Sequence, residues 1–145
     1  MAENNAHKAA KILLNTKSVL CDAQELFTYT SGNLGPVYVD CRRLISFPKE
    51  RSILMDMAAA LISDIGNIDY VAGGETAGIP YAAYISERLE KPMLYVRKKP
   101  KGFGRMAQIE GHFHGDKDQT VILIEDVQNF GSSKPTFIHA LREAG

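Results

Sequence analysis

Apolar positions follow two rhythms along the chain. At residues 4–16, Ala6, Ala9, Ala10, Leu13 and Leu14 recur at helical spacing and predict a first helix. Residues 27–30 and 37–41 read as two short strands around the turn-rich Ser31-Gly32-Asn33-Leu34-Gly35-Pro36, which predicts a hairpin forming a small layer of its own. Pro48 opens a longer helix. Its stripe of Ile53, Leu54, Met57, Ala58, Leu61, Ile62 and Ile65 ends at Gly66-Asn67. Short apolar runs at residues 70–72, 93–96 and 121–124 read as buried strands, the last as one covered on both faces. A helix over 78–90 tolerates Pro80 in its first turn, and a last helix covers 136–144. Residues 108–113 suit a further strand.

Strands followed by helices imply βα units, a parallel sheet and an α/β fold. Three parallel strands make a thin sheet, so further βα units are expected beyond Gly145, unless the natural protein is short. Residues 1–48 are expected to form an N-terminal helix and hairpin layer, and residues 49–145 an α/β core, within a single domain. Two small-residue loops then fall at the C-terminal ends of parallel strands, the edge where open α/β sheets bind ligands. One is Gly73-Gly74-Glu75-Thr76-Ala77-Gly78. The other follows the acidic pair Glu125-Asp126 and runs through Val127-Gln128-Asn129-Phe130-Gly131-Ser132-Ser133 to a helix start at Ser132 or Ser133. Carboxylates accept hydrogen bonds from hydroxyls, while loop amides and a helix N-terminus hold phosphate. Alone, the second stretch reads equally as a Ser-capped turn with solvated acids. The spacing matches neither GxGxxG nor the P-loop motif.

Composition narrows the class. Apolar content of 45% and charged content of 23% suit a globular domain of 145 residues. Lys+Arg and Asp+Glu are equal at 17 each, so no net charge favours nucleic acid or an anionic membrane. No 18-residue apolar run or secretory leader is present, and Cys21 and Cys41 stand apart without a CxxC companion, so a cytoplasmic protein with reduced thiols is expected.

The charge is nevertheless uneven. Arg97, Lys98, Lys99, Lys101 and Arg105 put five cations within nine residues, with Gly102 and Gly104 between them. A solvated surface loop is the plain reading. A cationic lid over a polyphosphate is the functional one, since the run follows a strand end on the ligand edge. His112 and His114 share a strand face but lack a third neighbouring ligand, and no metal-ligating set is assigned.

Together these segments resemble the orotate phosphoribosyltransferases, of the type I phosphoribosyltransferase fold. Residues 27–32 with 36–40 are similar to the family's N-terminal hood, Gly73 to Pro80 to its pyrophosphate loop, Tyr95 to Lys101 to the start of its catalytic lid, and Val121 to Lys134 to its phosphoribosyl diphosphate (PRPP) motif. The resemblance implies transfer of the phosphoribosyl group of PRPP to orotate, giving orotidine 5'-monophosphate and pyrophosphate in pyrimidine biosynthesis.

Residue by residue, it implies that Glu125 and Asp126 accept the ribose hydroxyls, that Val127 and Gln128 also bind PRPP, and that Asn129, Phe130, Gly131, Ser132 and Ser133 hold the 5'-phosphate, with Asn129 also beside orotate. Glu75, Thr76, Ala77 and Gly78 would touch the diphosphate, which Arg97, Lys98 and Lys101 would grip. Lys101, Glu125 and Asp126 would be the catalytic set. Mg²⁺ would arrive with PRPP, held mainly by its oxygens and water. The lid would reach a neighbouring subunit's site in a homodimer, and further strands with an orotate-binding arginine would follow residue 145. Departures from the family pattern are Thr30 and Ala77, where many members carry Lys, Phe103 for a lid histidine, Asn129 for Thr, and Phe130 at a position usually small or acidic. A non-catalytic PRPP- or nucleotide-binding module, and a transferase for another base, are the competing readings.

Overall fold

The computed structural model describes residues 4–29, 31–102, 108–114, 118–128 and 134–145. The chain divides into two compact units, Met1–Leu54 and Met55–Gly145.

In the first unit, α1 (Asn5–Asn15) starts where the Asn4 side chain accepts a hydrogen bond from the Ala6 amide at 3.0 Å. It stops at Thr16, whose hydroxyl turns back to the Ile12 carbonyl at 2.8 Å. Arg43 Nε donates to the Thr16 carbonyl at 2.7 Å and ties this helix end to a 3₁₀ turn at Cys41–Ser46.

The strand pairing differs from the expected hairpin. β2 (Phe27–Thr28) pairs with β3 (Leu34–Gly35), and β4 (Val37–Val39) pairs instead with β1 (Val19–Cys21), both antiparallel. The cause is local. The Tyr29 amide bonds the Asn33 carbonyl at 2.8 Å, and Gly32 takes φ +84°, so the reversal closes early and uses up residues 34–35. Val37–Val39 is left to find β1, a strand the pattern did not announce.

The second unit is built on a mixed sheet of order β7-β6-β5-β8. β5 (Tyr70–Gly74) runs parallel to both β6 (Met93–Val96) and β8 (Val121–Ile124), while β7 (Ile109–Glu110) lies antiparallel on β6. Every residue of β5 is buried. β8 is only half-buried along its length, not covered on both faces as expected, because β5 is its one neighbour among the described strands.

Alternation along β5 sorts the helices. Tyr70 and Ala72 join Leu94, Val96, Phe137 and Leu141 in one core cluster, which brings in α4 (Lys134–Glu143). Gly73 faces the other way, close to Ile79 and Ala82 of α3 (Gly78–Leu89). In α2 (Pro48–Ser63) the buried positions are Met55, Ala59 and Ile62, while Leu61 and the following Ile65 are exposed. The expected stripe was therefore rotated. Apolar side chains occupy so much of this helix's circumference that periodicity alone does not select the inner face.

Candidate active site

The parallel register puts three strand ends at one edge. Gly73 lies opposite both Tyr95 and Ile124, and Gly74 opposite Val96. The segments that leave this edge are the loop 75–77, the basic stretch from Arg97 and the acidic stretch from Glu125. The two small-residue loops and the cations singled out in the sequence thus share an origin.

The loop after β5 is held by its first residue. The Glu75 amide donates to the Val96 carbonyl at 2.9 Å, and Glu75 Oε2 accepts from the Lys98 amide at 2.7 Å. One side chain thereby ties this loop to the start of the basic stretch. The Glu75–Thr76 peptide is cis. Ala77 caps α3 without a side-chain hydrogen bond, so the first amides of that helix have no side-chain partner from the cap. Gly78 and Ala77 are both buried.

Glu125 enters this same corner. Its Oε1 is buried and has no hydrogen-bond partner. A Cβ at position 74 would overlap that oxygen and stand 2.7 Å from Phe137 Cε2, and a Cβ at 78 would overlap the Ile124 carbonyl and stand 3.2 Å from Glu125 Oε1. Glycine at both positions is what admits the carboxylate. Burial, and then the negative charge of Asp126, raise the Glu125 carboxyl above its ordinary value, while Lys134 and Lys98 pull it back. An acid kept dry with an unused acceptor is costly unless something donates to it.

The cations divide. Lys98 and Lys134 act on Glu125. Lys134 Nζ also hydrogen-bonds Gln128 Oε1, which fastens the start of the acidic loop to α4. Arg97 and Lys101 turn to Glu110 on β7: Lys101 Nζ forms an ion pair with Glu110 Oε1, and Arg97 Nη1 stands 3.9 Å from it. Val127 is exposed. Asn129, Phe130, Gly131, Ser132 and Ser133, with Thr30 and Phe103, lie outside the described residues.

Sequence reasoning overlooked Gly74 as the seat of Glu125, Lys134 as a neighbouring cation and Glu110 as a partner of the basic stretch. Gly74 and Lys134 lay in stretches already marked, and Glu110 in the strand expected at 108–113. The His112 and His114 rings touch at 4.3 Å between centroids, yet no group of three or more His, Cys, Asp or Glu side chains able to hold a metal gathers among the described residues.

Comparison with known proteins places this arrangement. The crystal structure of orotate phosphoribosyltransferase from Aeropyrum pernix superposes with TM-score 0.70 at 31% identity, over 94% of this chain and 74% of that one. The chain belongs to the orotate phosphoribosyltransferase family. No family model matches it. The orotate phosphoribosyltransferase of Cereibacter sphaeroides is 51% identical over 146 residues, spanning 99% of this chain and 62% of that protein. That of Rhizobium rhizogenes is 52% identical over 143 residues, spanning 97% and 61%. The chain therefore covers somewhat under two thirds of the length of these curated relatives. The family has the mixed, mostly parallel sheet described above, so the α/β expectation and the small N-terminal antiparallel layer both hold.

Proposed function

We propose that this chain binds PRPP and carries the phosphoribosyl-transfer chemistry of an orotate phosphoribosyltransferase, making orotidine 5'-monophosphate and pyrophosphate for pyrimidine biosynthesis. One observation carries the reading most directly. Glu125 Oε1 is buried and unpartnered beside the start of α3, which has no side-chain cap, and two lysines act on the carboxylate. A ligand offering hydroxyl donors next to negatively charged phosphoryl oxygens satisfies both features at once.

In this reading Glu125 and Asp126 accept hydrogen bonds from the ribose hydroxyls. Glu75 holds the Lys98 amide, so the 75–78 backbone and the basic stretch approach the diphosphate together. The 5'-phosphate falls to residues 129–133. An orotate ring nitrogen then forms a bond to C1 of the ribose as the bond from C1 to the diphosphate oxygen breaks, and the electron pair leaves with pyrophosphate. Positive charge builds on the ribose and negative charge on the leaving group. Nearby carboxylates stabilise the first, and Arg97, Lys98 and Lys101 the second.

The chemistry of the donor set fits Mg²⁺: it would arrive with PRPP, held mostly by PRPP oxygens and water, next to the hard carboxylate oxygens of Glu125 and Asp126. Bound there, Mg²⁺ supplies charge neutralisation for the diphosphate.

The same reading takes residues 1–48 as the helix and hood of one phosphoribosyltransferase domain whose α/β core begins at residue 49. It includes a homodimer in which the basic stretch serves the neighbouring site, in a cytoplasmic setting. No helix among the described residues is long and apolar enough to cross a membrane.

Isothermal titration of the protein with PRPP and Mg²⁺, followed by loss of orotate absorbance, tests the proposal. Binding and turnover are expected. Absence of PRPP binding by the folded protein would sink it. Binding without turnover would favour a non-catalytic module, and turnover of another base in a competition panel would move the substrate assignment.

A further inference from the structure

Two cations of the basic stretch, Arg97 and Lys101, already face a carboxylate. β7 holds Glu110 opposite Tyr95 and Ile109 opposite Val96. Gln108 fastens the same edge to Arg97: the Arg97 amide donates to the Gln108 carbonyl at 2.8 Å, and Gln108 Nε2 donates to the Arg97 carbonyl at 2.9 Å. Gln108 is thus fixed to the first residue of the stretch, and Glu110, two positions on, is held opposite Tyr95. Its carboxylate takes Lys101 and sits near Arg97, with side-chain exposures of 22% for Glu110, 30% for Lys101 and 32% for Arg97. Arg97 Nε is buried without a partner, a donor still unspent beside the pair. Most of this cluster is shielded from solvent, so its charges are felt more strongly than those of an exposed pair.

We infer that Glu110 is a positioning residue: an internal anion that holds Arg97 and Lys101 in the ligand-free protein and competes with the diphosphate for them. The inference rests on the proposed assignment of those two cations to the diphosphate. A diphosphate carries more negative charge than one carboxylate and takes the cations when bound. Glu110 takes them back as pyrophosphate leaves, which weakens retention of that product. A solvated carboxylate elsewhere on the surface could do neither.

Titration of inorganic pyrophosphate with Mg²⁺ into the parent, Glu110→Gln, Lys101→Met and the double variant tests this. Glu110→Gln is expected to tighten pyrophosphate binding by about threefold, the scale of a partly screened ion pair. The gain shrinks in the Lys101→Met background, because the shared partner has gone. It also shrinks at high salt. A merely structural role for Glu110 would loosen binding and show no such dependence on Lys101. Glu110→Asp keeps the charge but withdraws it by one methylene. A smaller gain of the same sign is expected from it, and it serves where the glutamine variant does not fold. Unchanged or weaker binding by the Glu110 variants overturns the inference alone, as does a gain undiminished by Lys101→Met. Failure of the parent itself to bind pyrophosphate or PRPP overturns the functional reading, and this inference with it.

Discussion

The acidic and basic sides of the strand-end edge store their charge in opposite ways. Glu125 is raised in pKa, and its Oε1 is buried and unpartnered in a corner that Gly74 and Gly78 keep open. Arg97 and Lys101 already face a counter-ion, Glu110, on the neighbouring edge strand. The acidic side is preorganised: its cost is met during folding and recovered when a donor arrives. The basic side is exchangeable: its cations change partners on binding. Ground-state ribose recognition therefore suits the first, and stabilisation of charge that appears only as the diphosphate departs suits the second.

The largest effect should come from breaking the exchangeable side. Lys101→Ala is expected to lower kcat by about a hundred- to a thousandfold, with PRPP affinity changed by only about threefold. Steady-state orotate kinetics beside PRPP titration would read this, and a loss confined to affinity would contradict the division. On the acidic side, Gly74→Ala forces the added methyl into Glu125 Oε1 and against Phe137. About 2 kcal/mol of stability and about a hundredfold in PRPP affinity should be lost, by thermal melting and titration. An unaffected affinity would mean that Glu125 does not need its present seat.

Glu125→Gln keeps the shape and removes the charge. PRPP affinity should fall by about thirtyfold, the size of a lost charged hydrogen bond, while the ligand-free protein melts no lower than the parent at neutral pH. A clear drop in melting temperature would show that the carboxylate serves the fold.

The smallest effect is one of pH. The folded Glu125 pKa lies above the ordinary carboxylate value, so protonation favours the folded state. That contribution is fully present below the unfolded carboxylate pKa and is lost as pH rises through the folded value. PRPP affinity should run the other way, weakening severalfold as acidification neutralises the acceptor. In Glu125→Gln both dependences should flatten. A pH profile of affinity identical in parent and variant would remove Glu125 from the titrating set.

Much of this architecture was legible from local pattern. Residues 70–72, 93–96 and 121–124 show the short apolar runs of strands, the first of which runs on to Gly74, and 78–90 show the periodicity of the helix between the first two. The loop 73–78 and the Glu125-Asp126 pair were marked as ligand segments by residue type and position alone. Besides the half-buried β8, two local readings failed for physical reasons. α2 is apolar around too much of its surface for a face to be chosen, and the first hairpin was decided by where its turn closed.

What the sequence by itself determined is most of the elements, their order and the edge on which the chemistry gathers, because those follow from spacings of a few residues. The tertiary structure alone decided who meets whom. The Glu75–Lys98 bond joins residues 23 apart in the chain. The seat of Glu125 needs Gly74 of one strand and Gly78 of the following helix, and the resting partner of Lys101 sits on a strand whose antiparallel pairing with β6 its own pattern did not announce. Such encounters depend on register and close backbone approach across a sheet, which no local periodicity encodes.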